Sequence, residues 1–540
     1  MNKAISSLLL LVLLSSISFA SDELSEIKRT LADKSYANYW DRLGAINKLK
    51  KTNNKESAQV LISLFDDGEA PIREASVMAL ALFTDKAAIE HLGVNVLLQS
   101  RSEKQRYCAA WTLGLMNEEN NISYLTKAME TETAENVLVK IAESIGKMPN
   151  ALNAEEILIK KLSFNSKLVQ AAIIKVLGYL GSEKSFPYVL KSAYNPDVNI
   201  KSAALEALAE IKKQDSVDYL ESALKDPSPE VRITVLESLI KCKADKMRAL
   251  KIASGLLQDK NLPVRIAAVQ CLNEIRDKDC VSALVSRLGD TTWRLRYDII
   301  TALKDLTGQP FGFDKKVWLN WFEANKDRIE ISPTKQAPGA GLAGNSNETI
   351  PTFFDIPILG KSNVFIIDFS GSMKADADGK NDQGDRKIDI AQRELSDTLK
   401  SLPADSSFNI IILSTEATRM GKRKMSKAML PASDSNKKAG VEFVKSLWQQ
   451  LEDIKRGRGD HYDALMEALS DPEVDTIFLL SDGKPTYGTY VQEGNIIENI
   501  SRHNRFRKVL IHTITTGKTG TNVDLMRKLA EISNGIFVSK

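Results

Sequence analysis

The sequence predicts two architectures in one chain: an all-α solenoid followed by a doubly wound, Rossmann-like α/β domain. Three observations carry this. A helical pattern recurs with successive intervals of 31 to 33 residues up to about residue 312. From residue 362 onward, short β-branched runs alternate with amphipathic helical stretches. Between them lies "SPTKQAPGAGLAGNSNETIP", rich in Pro, Gly and small polar residues and without an apolar period. At 540 residues the chain is too long for a single core, which agrees with a multidomain reading.

The first twenty residues stand apart. Lys3 precedes an apolar run from Ile5 to Ile17, and Ser18-Phe19-Ala20 offers a small-x-small cleavage site. This pattern predicts a secretory signal peptide over 1–20, cut after Ala20, because the run is short for a membrane span. The expected mature protein has no transmembrane segment and is exported, periplasmic or extracellular. No Cys follows the apolar run, so lipoprotein processing is not expected. Export permits disulfides, but Cys108, Cys242, Cys271 and Cys280 form no CxxC pair. Cys108 and Cys271 fall inside apolar helical patterns, and the sequence leaves a bridge among Cys242, Cys271 and Cys280 undecided. A net charge of +3 gives no basis for a nucleic-acid partner.

The repeats occupy 21–312. "DPSPEVRITVLESL", "DKNLPVRIAAVQCL" and "DTTWRLRYDIITAL" each place an Asp five residues before an aliphatic, then a basic residue, then a helical stripe. The equivalent position recurs at Ile72, Gln105, Val137, Val169, Ile200, Val231, Val264 and Leu295, and a degenerate earlier unit ends near Leu49. A basic residue follows in six of these eight units: Arg73, Arg106, Lys201, Arg232, Arg265 and Arg296. Asp67, Asp226, Asp259 and Asp290 stand near the preceding turns, where a carboxylate can accept backbone N–H groups at a helix entrance. Each Arg is placed to pair with that Asp or with a neighbouring repeat's, so the ladder reads as structural. A lone helical hairpin cannot bury both faces; such units stack and share a core.

This region resembles the short form of HEAT repeat. The resemblance implies an α-solenoid that presents an extended surface to a protein or peptide, and it implies no chemistry. Similar repeats occur in bilin lyases, and nothing in this chain selects that activity. Trp318 and Trp321, three residues apart in 313–330, are expected on one face of a capping helix rather than on a ligand platform. Residues 331–361 are expected to form a flexible linker.

In 362–540, "NVFIID", "FNIIILS", "DTIFLLSD" and "KVLIHTITT" read as buried strands, with "GIFVSK" as an edge strand. Such sheets bind ligands where loops leave the carboxyl ends of strands. Asp368 and Asp482 both end strands and should emerge at one rim. "DFSGSM" and "FLLSDG", with the final strand–helix–strand pattern, resemble the von Willebrand factor type A domain and its D-x-S-x-S loop. The resemblance implies a divalent cation, Mg²⁺ foremost with Mn²⁺ or Ca²⁺ as alternatives. Ser370 and Ser372 would ligate directly, Asp368 would stand behind them or act through water, and Asp482 would approach from the neighbouring loop. Hard cations prefer such oxygen donors. An open coordination position would accept an acidic side chain from a partner.

One element departs from that pattern. The family places a Thr in G-G-T-N-x-Y-D-A-L; here "GRGDHYDAL" puts Gly459 at that place. Either the neighbouring Asp460 substitutes as a ligand, or metal affinity is reduced. Arg458-Gly459-Asp460 is a poor adhesion signal beside this loop. Lys455, Arg456 and Arg458 would lend positive charge to the rim. The insertion with Asp376, Asp378, Asp382 and Asp385 lacks EF-hand spacing and reads as a solvated loop.

His91, His461, His503 and His512 form no H-x-x-x-H pair, and there is no G-x-S-x-G elbow or P-loop. The chain is therefore expected not to be an enzyme. The expected function is that of an exported interaction, adhesion or scaffold protein. The alternative is a scaffold subunit of a metal-insertion or ATPase-linked complex. Limited proteolysis of the intact chain is expected to cut first within 332–351; preferred cleavage inside the repeats would move the boundary.

Overall fold

The computed structural model describes residues 21–289, 292–335, 351–375, 386–421, 423–451, 458–516 and 523–540. The signal segment, Asp290, most of the linker, the Asp376–Asp385 insertion, Lys455 and Arg456 lie outside the described residues. The chain divides into two compact units, 1–222 and 223–540.

The first unit is a run of paired helices. The degenerate first pair is Ser21–Ala32 with Tyr39–Leu49. Repeat-bearing helices follow at Ala70–Leu80, Glu103–Met116, Glu135–Ile145, Lys167–Leu180 and Val198–Lys212. In each, the position singled out by the period is the third residue of the helix, and all but Gln105 are buried. Third-residue burial turns each helix entrance inward, so each helix's fourth residue can fold back over its turn. Small residues let neighbouring helices approach closely: a Cβ on Gly178 would lie 2.6 Å from the Cα of Ala207.

The charged ladder joins repeats, and its geometry corrects the expected cap. The side chain five positions before the buried residue closes a turn. Asp67 accepts the N–H of Glu69 (2.9 Å), Asn195 that of Asp197 (2.8 Å), Asp226 that of Ser228 (2.9 Å) and Asp259 that of Asn261 (2.8 Å). The residue two places on, as with Ser102, Asp197 or Ser228, caps the helix with its own side chain. Arg73, Arg106, Arg232 and Arg265 donate from Nη1 to the carbonyls of their own turns. Three arginines also reach the next repeat's acid. Arg42 pairs with Asp67, Arg106 with Glu132 (2.6 Å), and Arg232 grips Asp259 at 2.7 and 2.9 Å. Burial raises the Asp259 carboxyl, yet Arg232 and the Asn261 N–H hold it below its ordinary range.

The second unit holds the last repeats and the α/β domain. The periodic position is again the third residue of Pro229–Lys241, Leu262–Ile275 and Trp293–Thr307. The helix Lys315–Asn325 closes this run. Trp318 is fully buried and donates Nε1–H to the Gly312 carbonyl (3.0 Å), with Phe311 and Trp321 edge-on to its ring. The pair is therefore core. Cys108 of the first unit, and Cys242, Cys271 and Cys280 here, are buried thiols in no disulfide; burial pushes the Cys271 thiol up to about 12.

Residues 351–361 are not linker. β1 (Thr352–Phe353) and β2 (Ile356–Pro357) form a hairpin, and Phe353, Phe354, Ile356 and Ile358 enter the core. Apolar content in so short a turn gives no periodic signal, which is why it read as linker. The main sheet comprises β3 (Ser362–Asp368), β4 (Ser407–Leu413), β5 (Leu430–Pro431), β6 (Thr476–Leu480), β7 (Leu510–Thr515) and β8 (Phe537–Ser539). Its order is β5-β4-β3-β6-β7-β8, parallel except for the edge strand β5. Alternation sorts the side chains. Phe365, Ile367, Phe408, Ile410 and Phe478 meet the helices Lys387–Ser401 and Asp434–Leu451. Val364, Ile366, Ile477, Leu479 and Ile511 meet His461–Ser470, Val523–Glu531 and Glu493–Asn504, the last being a helix the sequence reading missed. Strands buried on both faces explain the continuous apolar runs.

The repeats meet this domain at the amino-terminal edge of the sheet. Tyr297 donates its hydroxyl to the Asn534 carbonyl (2.9 Å), and Leu359 and Leu510 join the repeats' apolar core. Glu237 accepts from Arg505 (2.6 Å) and Lys508 (3.0 Å). Burial raises the Glu237 carboxyl, but these two cations hold it below its ordinary range. The chain leaves β3 for β4 on one side and returns to β6 on the other. The order therefore reverses beside β3, and its carboxyl end lies at the opposite edge from the repeats.

Arg232→Ala strands Asp259 in a low-dielectric turn and should cost about 3 kcal/mol in urea unfolding. Arg232→Lys should recover only part, since an ammonium cannot make the paired contact. A loss within about 0.5 kcal/mol would show that the ladder is decorative.

Candidate functional site at the carboxyl rim

Asp368 ends β3 and is fully buried. One oxygen accepts the Ser370 N–H (2.6 Å) and the other accepts the Ser481 hydroxyl (2.5 Å). Burial, and then the neighbouring Asp482, push its carboxyl up to about 6. Both oxygens are thus engaged in holding loops, which places Asp368 behind the surface donors.

Ser481 has a single hydroxyl hydrogen, and it goes to Asp368. His461 therefore contributes Nε2–H to the Ser481 oxygen, 2.9 Å away. Burial pushes the His461 ring down to about 4, so it is neutral near pH 7. This Asp368–Ser481–His461 chain was invisible in the sequence; a hydroxyl just before Asp482 was its only trace.

In front of the chain, Ser370 Oγ and Ser372 Oγ are 2.9 Å apart, and Ser372 donates to Asp482 Oδ1 at 2.6 Å. Gly483 lies against them, where a Cβ would come 3.3 Å from Ser372 Oγ. Four of the five predicted site residues, Asp368, Ser370, Ser372 and Asp482, are thus brought together. An octahedral Mg²⁺ with ligands at about 2.1 Å sets adjacent oxygens about 3 Å apart. The two serine hydroxyls, 2.9 Å apart, match that edge, while Ser372 and Asp482 at 2.6 Å are drawn closer by their hydrogen bond; all three are the oxygen donors that a small hard cation takes. Among the described residues no group of three or more His, Cys, Asp or Glu could hold a metal, and this set draws instead on hydroxyls.

Asp460 is the correction. Its carboxylate is buried against Arg423 (2.5 Å) and not gathered with the serines. Burial pushes it up to about 7 against that guanidinium. A Thr at Gly459 would be tight: its Cβ would lie 3.1 Å from His461 Cε1 and 3.2 Å from Leu413 Cδ2, so both neighbours would have to give by a few tenths of an ångström. Arg458 is buried as well, with its guanidinium 5.3 Å from the Tyr487 ring centroid, so it adds no surface charge to the rim. Lys387, unremarked in the sequence, donates to Asp482 Oδ2 at 2.6 Å.

A sheet with its order reversal beside β3, a serine–carboxylate rim there and a run of paired helices define a repeat protein that carries a mostly parallel α/β module. The family comparisons make this specific. HEAT repeats match residues 155–240 and 249–310, and a von Willebrand factor type A domain matches 364–538. The chain carries HEAT-like repeats followed by a C-terminal type A domain. Both modules mediate protein–protein interaction, and together they support an interaction scaffold.

No curated protein matches the chain. Among solved structures, it is similar to the CpcE–CpcF complex of phycocyanin lyase from Nostoc sp. PCC7120. There the identity is 20%, covering 44% of this chain and 94% of that one, with a TM-score of 0.30. Human deoxyhypusine hydroxylase in complex with glycerol matches at 18% identity, 52% and 95% coverage and a TM-score of 0.21. An engineered protein matches at 15%, 56% and 93%, with 0.29. TM-scores this low carry no functional argument. Among the described residues no helix is long and apolar enough to cross a membrane.

Gly459→Thr, which would restore the family's residue, should destabilise by about 1–2 kcal/mol, because His461 and Leu413 are locked in the core. Chemical denaturation measures it; an unchanged or raised midpoint would mean that the ring yields.

Proposed function

We propose that this chain is an exported, non-catalytic interaction protein that engages partners through its solenoid surface and through a divalent cation at the rim. The observation that carries the reading is the gathering of Ser370, Ser372 and Asp482 over the buried, doubly bonded Asp368. Those three side chains would hold the ion, with Mg²⁺ the best fit and Mn²⁺ or Ca²⁺ as alternatives. Once bound, the ion supplies a Lewis-acidic position for a partner's carboxylate. The chain's own residues set where that carboxylate arrives. Asp368 orients the Ser370 backbone, Ser481 ties the loop after β6 to the loop after β3, and Ser372 stays exposed at the surface.

A non-catalytic role is supported by His461, which is buried, neutral and committed to Ser481. Export rests on the apolar segment at residues 5–17 and the small-x-small site ending at Ala20.

Calorimetric titration of the full chain with Mg²⁺, Mn²⁺ and Ca²⁺ tests the rim. Asp482→Asn and Ser372→Ala should each weaken binding by about tenfold or more. Equal affinity in wild type and both variants would remove the ion from this site. Fractionation of producing cells should find the chain outside the cytoplasm and shortened by the signal segment; a full-length cytoplasmic protein would end the export reading.

A further inference from the structure

Lys387 is the first residue of the helix Lys387–Ser401. A cation there faces the positive end of the helix dipole, an unfavourable place unless a carboxylate compensates. Asp482 supplies that carboxylate: the ammonium donates to Oδ2 at 2.6 Å, while Oδ1 accepts from Ser372. The pair is sheltered, with the Asp482 side chain 2% exposed and the Lys387 side chain 17%. Its backbone is held too, since the Lys387 N–H reaches the Ala375 carbonyl (3.1 Å) and Ile388 is fully buried. The ammonium therefore sits on the carboxylate to which Ser372 donates.

We infer that Lys387 is a tethered cation that competes with a divalent ion for Asp482 and so sets the metal affinity of the rim. This rests on the reading of the rim as a divalent-cation site. The physics is one of charge. An ion bonded to the two serines and to Asp482 would stand within a few ångströms of the ammonium, and at that distance like charges repel strongly in a partly buried site. Loading the ion requires the ammonium to leave Asp482 for solvent, a movement that its four-carbon stem allows without shifting the helix. With the ammonium in place, Asp482 keeps a counter-charge without any metal. The rim can thus stay folded and ion-free when divalent ions are scarce.

The test uses the full chain and the metal alone. Mg²⁺ calorimetry and Mn²⁺ electron paramagnetic resonance are run on wild type, Lys387→Gln, Lys387→Arg and Asp482→Asn. Lys387→Gln should bind at least about tenfold more tightly than wild type, from loss of a neighbouring unit charge. Lys387→Arg, which keeps the charge, should stay within about threefold of wild type. Asp482→Asn should lose binding. Melting supplies a second readout: in EDTA, Lys387→Gln should unfold at a lower temperature than wild type, and Mg²⁺ should raise its midpoint by more than it raises the wild type's. If Lys387→Gln binds no more tightly than wild type while Asp482→Asn still abolishes binding, the competition is overturned and the metal rim stands. If no protein binds the ion at millimolar concentration, the rim reading falls, and the competition with it.

Discussion

The carboxylate of Asp368 is the constraint around which the rim is arranged. A buried charge is costly unless its oxygens find donors, and the two donors come from loops that follow different strands. Ser370 N–H belongs to the loop after β3, and the Ser481 hydroxyl to the loop after β6. Satisfying one carboxylate therefore locks the two loops that deliver the rim's surface oxygens. It also fixes the role of His461, whose Nε2–H completes the Ser481 oxygen. A ring held there packs closely beside Gly459, where a Cβ would lie 3.1 Å from its Cε1.

A similar rule organises the repeats. Carboxylates in the turns are engaged twice, by the backbone of their own turn and by an arginine of the preceding repeat. Asp259 accepts the Asn261 N–H and the Arg232 fork at once. Arg232 in turn binds the carbonyls of Asp226 and Pro227. The same double engagement holds Asp67, through the Glu69 N–H and Arg42, and Glu132, through the Ala134 N–H and Arg106.

In the second unit the repeats and the sheet share apolar and polar contacts at the amino-terminal edge. Within the domain, Gly535 packs tightly on β7: a Cβ would lie 2.0 Å from the Ile511 carbonyl oxygen. The Asn534 carbonyl beside it receives the Tyr297 hydroxyl. These contacts and the serine–carboxylate rim thus occupy opposite ends of the same strands, so the last repeats hold the domain without using the residues of its rim.

Much of this was legible in the chain alone, wherever the physics is local. The 31-to-33-residue period placed the third residue of eight helices, since burial of one helical face imposes a short-range pattern. The run ending at Asp368 and the serines after it marked a strand and its loop for the same reason. Other features depend on which strands become neighbours, and no local pattern encodes that. Ser481 meets Asp368 across 113 positions, Lys387 meets Asp482 across 95, and Arg423 takes Asp460 away from the rim across 37. The residue types of the rim were written in sequence. Which of them became ligand-ready, which became support, and which cation faces Asp482 were decided only when the sheet set β3 beside β6.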